Sequence, residues 1–214
     1  MLFANRVDAG RQLAARLEHL RGLDAVVLGL PRGGVPVAYE VAVALDKPLD
    51  VIVVRKLGAP FNTEYAMGAI GEGDVRVVEQ DIIRELGVTD RELAAVEQRE
   101  RLELDQRVRR FRGERARIPL AGRTAIVVDD GVATGSTARA ACQVVRASAA
   151  ARIVLAVPVA PPGWEADIGA AADEFVCLHT PERFFAVGQW YTDFTQTTDA
   201  EVVDLLERRN PRSH

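Results

Sequence analysis

Two adjacent carboxylates, Asp129 and Asp130, stand directly before a run of small and hydroxyl-bearing residues. They follow the apolar residues 126–128, which are typical of a buried strand, and they precede a helix-forming run that begins near Ser136. Because ligands in open α/β sheets bind beyond the carboxyl ends of the strands, we expect both acids to face a binding crevice. The turn after them offers backbone N–H groups at a helix start and side-chain hydroxyls, which is the composition of an anion site.

Carboxylates and a phosphate would repel one another if they met, and this restricts the ligand. A carboxylate accepts hydrogen bonds, so Asp129 and Asp130 need donors such as sugar hydroxyls. A sugar phosphate with a diol at one end, such as ribose 5-phosphate, satisfies both parts of the segment. The turn lacks the lysine of the nucleotide P-loop pattern GxxxxGK[ST]. The residues expected to hold the phosphate are Ala133, Thr134, Gly135, Ser136 and Thr137.

Residues 127–137, VVDDGVATGST, resemble the phosphoribosyl-pyrophosphate (PRPP) motif of type I phosphoribosyltransferases. The resemblance implies an enzyme that transfers the 5-phosphoribosyl group between PRPP and a nitrogen base and releases pyrophosphate. It implies Mg²⁺ held mainly by PRPP oxygens and also by Asp129 and Asp130, a homodimer, and catalytic roles for Asp129, Asp130 and Arg32. The alternatives are a PRPP- or nucleotide-binding regulatory protein without turnover, and a sugar-phosphate hydrolase or phosphorylase that uses the same site.

Further segments extend the resemblance over roughly residues 20–160 and beyond. The sequence LPRGG after the first predicted strand is similar to the family's pyrophosphate-binding loop, in which we expect that the Pro31–Arg32 peptide can be cis. Two basic residues after the second strand resemble a further contact to pyrophosphate. The segments RKLGAP and VGQWYTDF are similar to a group of bacterial phosphoribosyltransferase-domain proteins of undefined base specificity. The implied pyrophosphate ligands are Arg32, Gly33, Arg55 and Lys56.

The base contacts are implied by an aromatic-rich segment at residues 184–194, FFAVGQWYTDF. Its FAVG phrase is loosely similar to the purine-stacking segment of hypoxanthine phosphoribosyltransferases, which implies base contacts for Phe185 and Trp190. A hydrophobic plug at the sheet edge is the competing interpretation. Two departures argue against a purine, because Ala133 stands where those enzymes have an acid and Pro158 lies where they present a lysine. The identity of the base is therefore left open.

A scaffold of alternating strands and helices must position these residues. The apolar strands lack polar alternation, which predicts burial on both faces and a parallel sheet. The fold class is α/β, a doubly wound, mainly parallel sheet flanked by helices, with a small hood; this is the type I phosphoribosyltransferase fold that the resemblance implies. Residues 50–55 are predicted as the second strand and residues 56–74 as a loop with a short strand inside it.

The chain is interpreted as one phosphoribosyltransferase domain over residues 1–214. It carries a long-helix insertion at about 79–112 and a C-terminal hood or edge segment at about 179–210. The implied reaction must exclude water, and the family covers its site with a flexible loop ahead of the PRPP motif. The candidates for that cover here are Glu64, Tyr65, Arg99, Arg101 and Arg107.

The composition of the chain argues against several classes of function. The 214 residues carry a net charge of -4, which argues against a nonspecific nucleic-acid binder. No apolar run approaches membrane length and the first residues lack the apolar core of a signal peptide, so we expect a cytoplasmic protein with no membrane or nucleic-acid partner. Cys142 and Cys177 are predicted as buried reduced thiols, and without a CxxC pattern no zinc site is expected.

Overall fold

The computed structural model describes residues 2–210, apart from the side chain of Glu64. Residues 1 and 211–214 of the predicted domain, and Glu64 as a candidate for the cover, lie outside what is described. The strands are β1 (Ala25–Gly29), β2 (Leu49–Val51), β3 (Val54–Ala59), β4 (Asn62–Gly71), β5 (Arg76–Val78), β6 (Thr124–Val128), β7 (Arg152–Val159) and β8 (Glu174–His179). The helices are α1 (Arg6–Arg16), α2 (Gly34–Leu45), α3 (Gln80–Glu85), α4 (Asp90–Arg112), α5 (Ser136–Ala147), α6 (Trp164–Ile168) and α7 (Asp199–Arg209), with short 3-10 helices at Glu18–Leu20, Gly169–Ala171 and Val187–Trp190.

Five strands form a parallel sheet in the order β2–β1–β6–β7–β8. Alternate residues of each central strand pack into two different hydrophobic cores, one on each face of the sheet. Val27 packs in the core that contains side chains of α1, α2 and α7, and Val26 packs in the core that contains side chains of α5 and α6. Burial on both faces explains why these strands are continuously apolar. The doubly wound, mainly parallel sheet predicted from the sequence is confirmed.

A second, antiparallel sheet in the order β3–β4–β5 corrects two sequence predictions. The strand predicted at 50–55 is divided, since β2 ends at Val51 and β3 begins at Val54 in the other sheet. The loop predicted at 56–74 is largely the β3–β4 hairpin. Its glycines mark close backbone approach, because a Cβ on Gly68 would lie 2.1 Å from the carbonyl oxygen of Val77 on β5. The loop prediction was therefore wrong, because the glycines of this segment allow strands to approach closely and do not mark a loop.

The long helix α4 packs against β3 and β4 and is held at both ends. The Thr89 hydroxyl accepts from the Glu92 N–H at 3.3 Å and the Glu92 carboxylate accepts from the Thr89 N–H at 2.9 Å, which is the predicted capping box. At the other end the buried Arg112 donates to Glu72 at 2.8 Å and to Asp50 at 2.6 Å. Because Asp50 lies on β2 and Glu72 follows β4, these bonds fix α4 against both sheets.

The C-terminal segment returns to the carboxyl ends of the parallel strands. Phe3 forms an isolated parallel bridge with Tyr191, and both are buried beside Val159 of β7. Helix α7 then packs against α2 and α4. Cys142 is buried as predicted, whereas Cys177 is only half-buried. Within the described residues no helix has the length and apolar character needed to cross a membrane.

Candidate functional site

The loop between β6 and α5 leaves the first turn of the helix open. No side chain of the described residues caps α5, and Gly135 has a left-handed backbone with φ of 74°, which a residue with a Cβ rarely adopts. The N–H groups of the first turn and the helix dipole therefore favour an anion at this point. A hollow of about 130 Å³ lies there. Its lining includes all the predicted phosphate ligands: Ala133, Thr134, Gly135, Ser136 and Thr137.

Asp129 lines the same hollow and has no direct ion-pair partner among the described residues, although the charge of Arg6 acts on it from a distance. Its carboxylate accepts a hydrogen bond from the backbone N–H of Asp130 at 2.8 Å, and it forms no ion pair with any residue that the structure describes. Burial raises the pKa of Asp129 well above its usual range, and the neighbouring Asp130 charge raises it further. A cation or a hydroxyl donor placed here would stabilise the charged form.

Asp130 has different surroundings because it already has a partner. Its Oδ2 accepts from Nε of Arg6 at 2.8 Å, and the Tyr191 hydroxyl donates to its carbonyl oxygen at 2.5 Å. Arg6 also donates to the carbonyl oxygen of Thr195 at 2.8 Å and lies 3.9 Å from the ring centroid of Phe194. Burial raises the pKa of Asp130, and the charge of Arg6 opposes this effect. Sequence reasoning treated the two acids alike and missed Arg6.

The loop between β1 and α2 packs directly against the acid pair. The Pro31–Arg32 peptide is cis, as expected from the sequence. A Cβ on Gly33 would lie 2.0 Å from Oδ2 of Asp130, so the glycine is required by contact with the end of β6. Arg32 reaches α7, where Nη1 donates to Asp199 at 3.4 Å. The predicted pyrophosphate loop and the acids therefore form one continuous surface.

The two basic residues predicted to follow the second strand, Arg55 and Lys56, lie on β3 and have protein partners. Arg55 forms an ion pair with the buried Glu100 of α4, with Nη2 and Oε2 at 2.6 Å. Lys56 donates from Nζ to the Ser136 hydroxyl at 3.1 Å, at the first residue of α5. Lys56 therefore places a cation next to the start of α5 from another strand, although it does not itself line the hollow there.

Comparison with known proteins identifies the family of the chain. Residues 2–189 match the family model described as a phosphoribosyl transferase domain. The chain belongs to the phosphoribosyltransferase family. Over 207 residues, 97% of the chain, it is 58% identical to two Mycobacterium tuberculosis proteins, "Putative phosphoribosyl transferase MT0597" and "Putative phosphoribosyl transferase Rv0571c", and it spans 47% of their length. The crystal structure of TT1426 from Thermus thermophilus has a TM-score of 0.89 and 45% identity, covering 97% of this chain and 99% of that one.

The residues that family resemblance assigns to the base differ in exposure. Phe185 is 86% exposed. Trp190 is half-buried and stacks on Phe184 with ring centroids 6.4 Å apart, and its indole N–H is buried with no partner among the described residues. An exposed ring suits a stacking surface for the base of a phosphoribosyltransferase, whereas a packed ring suits the apolar plug. Each sequence interpretation therefore fits one of the two residues.

The candidates for a cover also differ. Tyr65 of the β3–β4 hairpin is 56% exposed. Arg101 donates to the carbonyl oxygen of Gly71 at 3.0 Å, which ties α4 to the end of β4. Arg99 donates to Glu100 at 3.1 Å. Tyr65 is thus exposed while the two arginines are bonded to neighbouring groups, and closure by any of these residues stays a prediction.

Proposed function

We propose that this phosphoribosyltransferase-family protein transfers the 5-phosphoribosyl group between PRPP and a nitrogen base, with release of pyrophosphate. The observation that carries the proposal is the meeting of an open helix N-terminus, a half-buried carboxylate without an ion-pair partner and a basic loop at the ends of the neighbouring strands β1 and β6. Such a surface is complementary to a ligand with a phosphate, a diol and a second anionic group. PRPP has all three.

Each part of the surface has a separate task in this proposal. The residues from Ala133 to Thr137 hold the 5-phosphate, and Asp129 accepts hydrogen bonds from the ribose hydroxyls, with Asp130 held beside it. Negative charge develops on the departing pyrophosphate, so cations placed around it stabilise the transition state more than the ground state. The cations and loop residues assigned to that group are Arg32, Gly33, Arg55 and Lys56.

Mg²⁺ belongs to the same proposal. The described residues contain no group of three or more His, Cys, Asp or Glu side chains that could hold a metal by themselves. Mg²⁺ is commonly bound by one or two carboxylates together with substrate phosphates and waters, and the unpaired Asp129 beside Asp130 fits that pattern. The ion would neutralise charge on the departing pyrophosphate oxygens when bound. A homodimer is part of the proposal by family resemblance alone.

A PRPP- or nucleotide-binding protein without turnover is the second candidate. It is favoured by the Arg6–Asp130 ion pair, because that contact occupies one of the two acids with a protein cation at 2.8 Å. Ala133, at the position where hypoxanthine phosphoribosyltransferases have a base-contacting acid, also offers no proton carrier for a purine. These features are compatible with binding of a sugar phosphate and do not supply a group for base activation.

The test measures pyrophosphate release from PRPP and Mg²⁺ with a panel of purines, pyrimidines and small amines. The proposal expects release that depends on at least one base and is lost in the Asp129→Asn, Asp130→Asn double variant. PRPP binding without base-dependent release would favour the regulatory candidate. Release of pyrophosphate without any base would point to a hydrolase. Absence of PRPP binding in a parallel titration would overturn the transferase and leave only the nucleotide-binding form of the second candidate.

A further inference from the structure

A second cavity, of about 360 Å³, lies between β3, α4 and the start of α5. It adjoins the phosphate hollow, because Thr137 lines both. Among the described residues its lining contains four cationic side chains and a single carboxylate. The charged residues of this lining are Arg55, Lys56, Arg99, Glu100 and Arg107.

The carboxylate is already shared between two of the arginines. Glu100 pairs with Arg55 at 2.6 Å and with Arg99 at 3.1 Å. Lys56 donates to a neutral hydroxyl at the start of α5. Arg107 forms no ion pair with any residue that the structure describes. The cavity therefore carries an excess of positive charge, and among the three arginines of its lining Arg107 alone forms no ion pair with a described residue.

Arg107 also links the two basic surfaces assigned to pyrophosphate. Its guanidinium is close enough to Arg55 and Arg32 for their charges to act on it, and burial followed by the charge of Arg55 lowers the pKa of Arg107. Arg32 is engaged by Asp199 and Arg55 by Glu100. Among these three arginines, Arg107 alone forms no ion pair with a described carboxylate, although the charge of Glu103, one helical turn earlier on α4, acts on it and partly opposes the lowering of its pKa. Like charges held together are unfavourable in the free protein and become favourable when an anion enters.

We propose that Arg107 of α4 is a binding residue for the pyrophosphate group, and that the cavity between β3 and α4 receives this anion. Arg55 stays on Glu100, and the ion pair positions β3 against the helix. Arg107 therefore contacts pyrophosphate more directly than Arg55 does. Part of the pyrophosphate-binding role predicted for Arg55 belongs to Arg107, which lies on a helix outside the PRPP motif. This inference rests on the proposed function, since pyrophosphate is the product of that reaction.

The test is calorimetric titration of the full chain with inorganic pyrophosphate and, separately, with ribose 5-phosphate. Arg107→Gln should weaken pyrophosphate binding about 10-fold or more, because it removes a charge-assisted contact. Ribose 5-phosphate binding should change less than about 2-fold, since the phosphate hollow is intact. Arg107→Lys should restore part of the pyrophosphate affinity. Arg109→Gln, the same charge change two residues along α4 at an exposed position, is the matched control and should bind pyrophosphate as the parent does.

Thermal unfolding separates binding from structural damage. Removal of an uncompensated cation should leave the melting temperature of Arg107→Gln equal to or above that of the parent. Parent-level pyrophosphate affinity in Arg107→Gln would overturn the inference, and so would equal losses in Arg107→Gln and Arg109→Gln. Base-dependent pyrophosphate release by the parent would still stand in either case. If the parent itself lacked that release, the proposed function would fail independently of Arg107.

Discussion

Asp129→Asn should make the free protein more stable and a much weaker binder of PRPP. The substitution keeps the side-chain oxygen that accepts from the Asp130 N–H at 2.8 Å, and it removes a half-buried charge that has no ion-pair partner among the described residues. A stabilising substitution of this kind commonly adds roughly 0.5–2 kcal/mol to the free energy of unfolding. For a chain of this size that corresponds to a melting-temperature increase of about 1–8 °C.

The opposite effect on binding has the same origin. A charge-assisted hydrogen bond to a ligand contributes about 1.5–3 kcal/mol, so loss of the Asp129 charge should weaken PRPP binding roughly 10–150-fold. Calorimetric titration with PRPP and Mg²⁺ measures this loss. Asp105→Asn, at an exposed position on α4, is the matched control and should change stability by less than about 0.5 kcal/mol.

The effect of the Asp129 charge on stability should depend on pH. The pKa of Asp129 is raised in the folded state. At pH values above about 4, the ordinary pKa of an Asp, the charged carboxylate therefore destabilises the folded state, and this destabilisation disappears when the pH is low enough to protonate the group. The stability advantage of Asp129→Asn should therefore be largest near pH 7–8 and should shrink as the pH is lowered. A variant that melts below the parent at pH 7 and binds PRPP as tightly would refute this reasoning.

Four further substitutions test other parts of the account. Arg6→Gln should lower the free energy of unfolding by about 1–3 kcal/mol in urea titrations, because Asp130 loses its counter-charge; unchanged stability would contradict the ion pair. Gly33→Ala should cost about 1–3 kcal/mol of stability and reduce PRPP affinity, since its Cβ would lie 2.0 Å from Asp130; a fully active variant would be incompatible with this packing. Arg112→Met should cost about 3–5 kcal/mol because two buried carboxylates lose their partner, and a loss below about 1 kcal/mol would show that they are solvated. Phe185→Ala should leave stability within about 0.5 kcal/mol and raise KM for the base about 10-fold, and an unchanged KM would exclude Phe185 from the base site.

The parts of the fold that the sequence predicted are those with local causes. Helix α4 starts where the Thr89–Glu92 capping box predicts, and the parallel strands are apolar on both faces because two helical layers cover them. The start of α5 at Ser136, after a loop of small residues, also follows the local sequence. Each of these features is encoded within a few residues of the chain.

The missed features depend on contacts that are distant in sequence. Arg6 and Asp130 are 124 residues apart, and no pattern near either residue indicates their ion pair. The division of the strand at 50–55 was missed because β-branched residues suit both sheets and do not mark where the chain passes from one to the other. Glu100 interrupts the apolar stripe of α4 because it pairs with Arg55, a partner that sequence periodicity does not specify.

The central claim is that one strand end binds both halves of a ribose 5-phosphate. A crystal structure with PRPP and Mg²⁺ tests it most directly. The account predicts the 5-phosphate on the loop from Ala133 to Thr137, with a ribose hydroxyl within hydrogen-bond distance of Asp129. A well-ordered phosphate elsewhere, such as in the cavity of about 570 Å³ between α5 and α6, with no sugar contact to the acids, would contradict it.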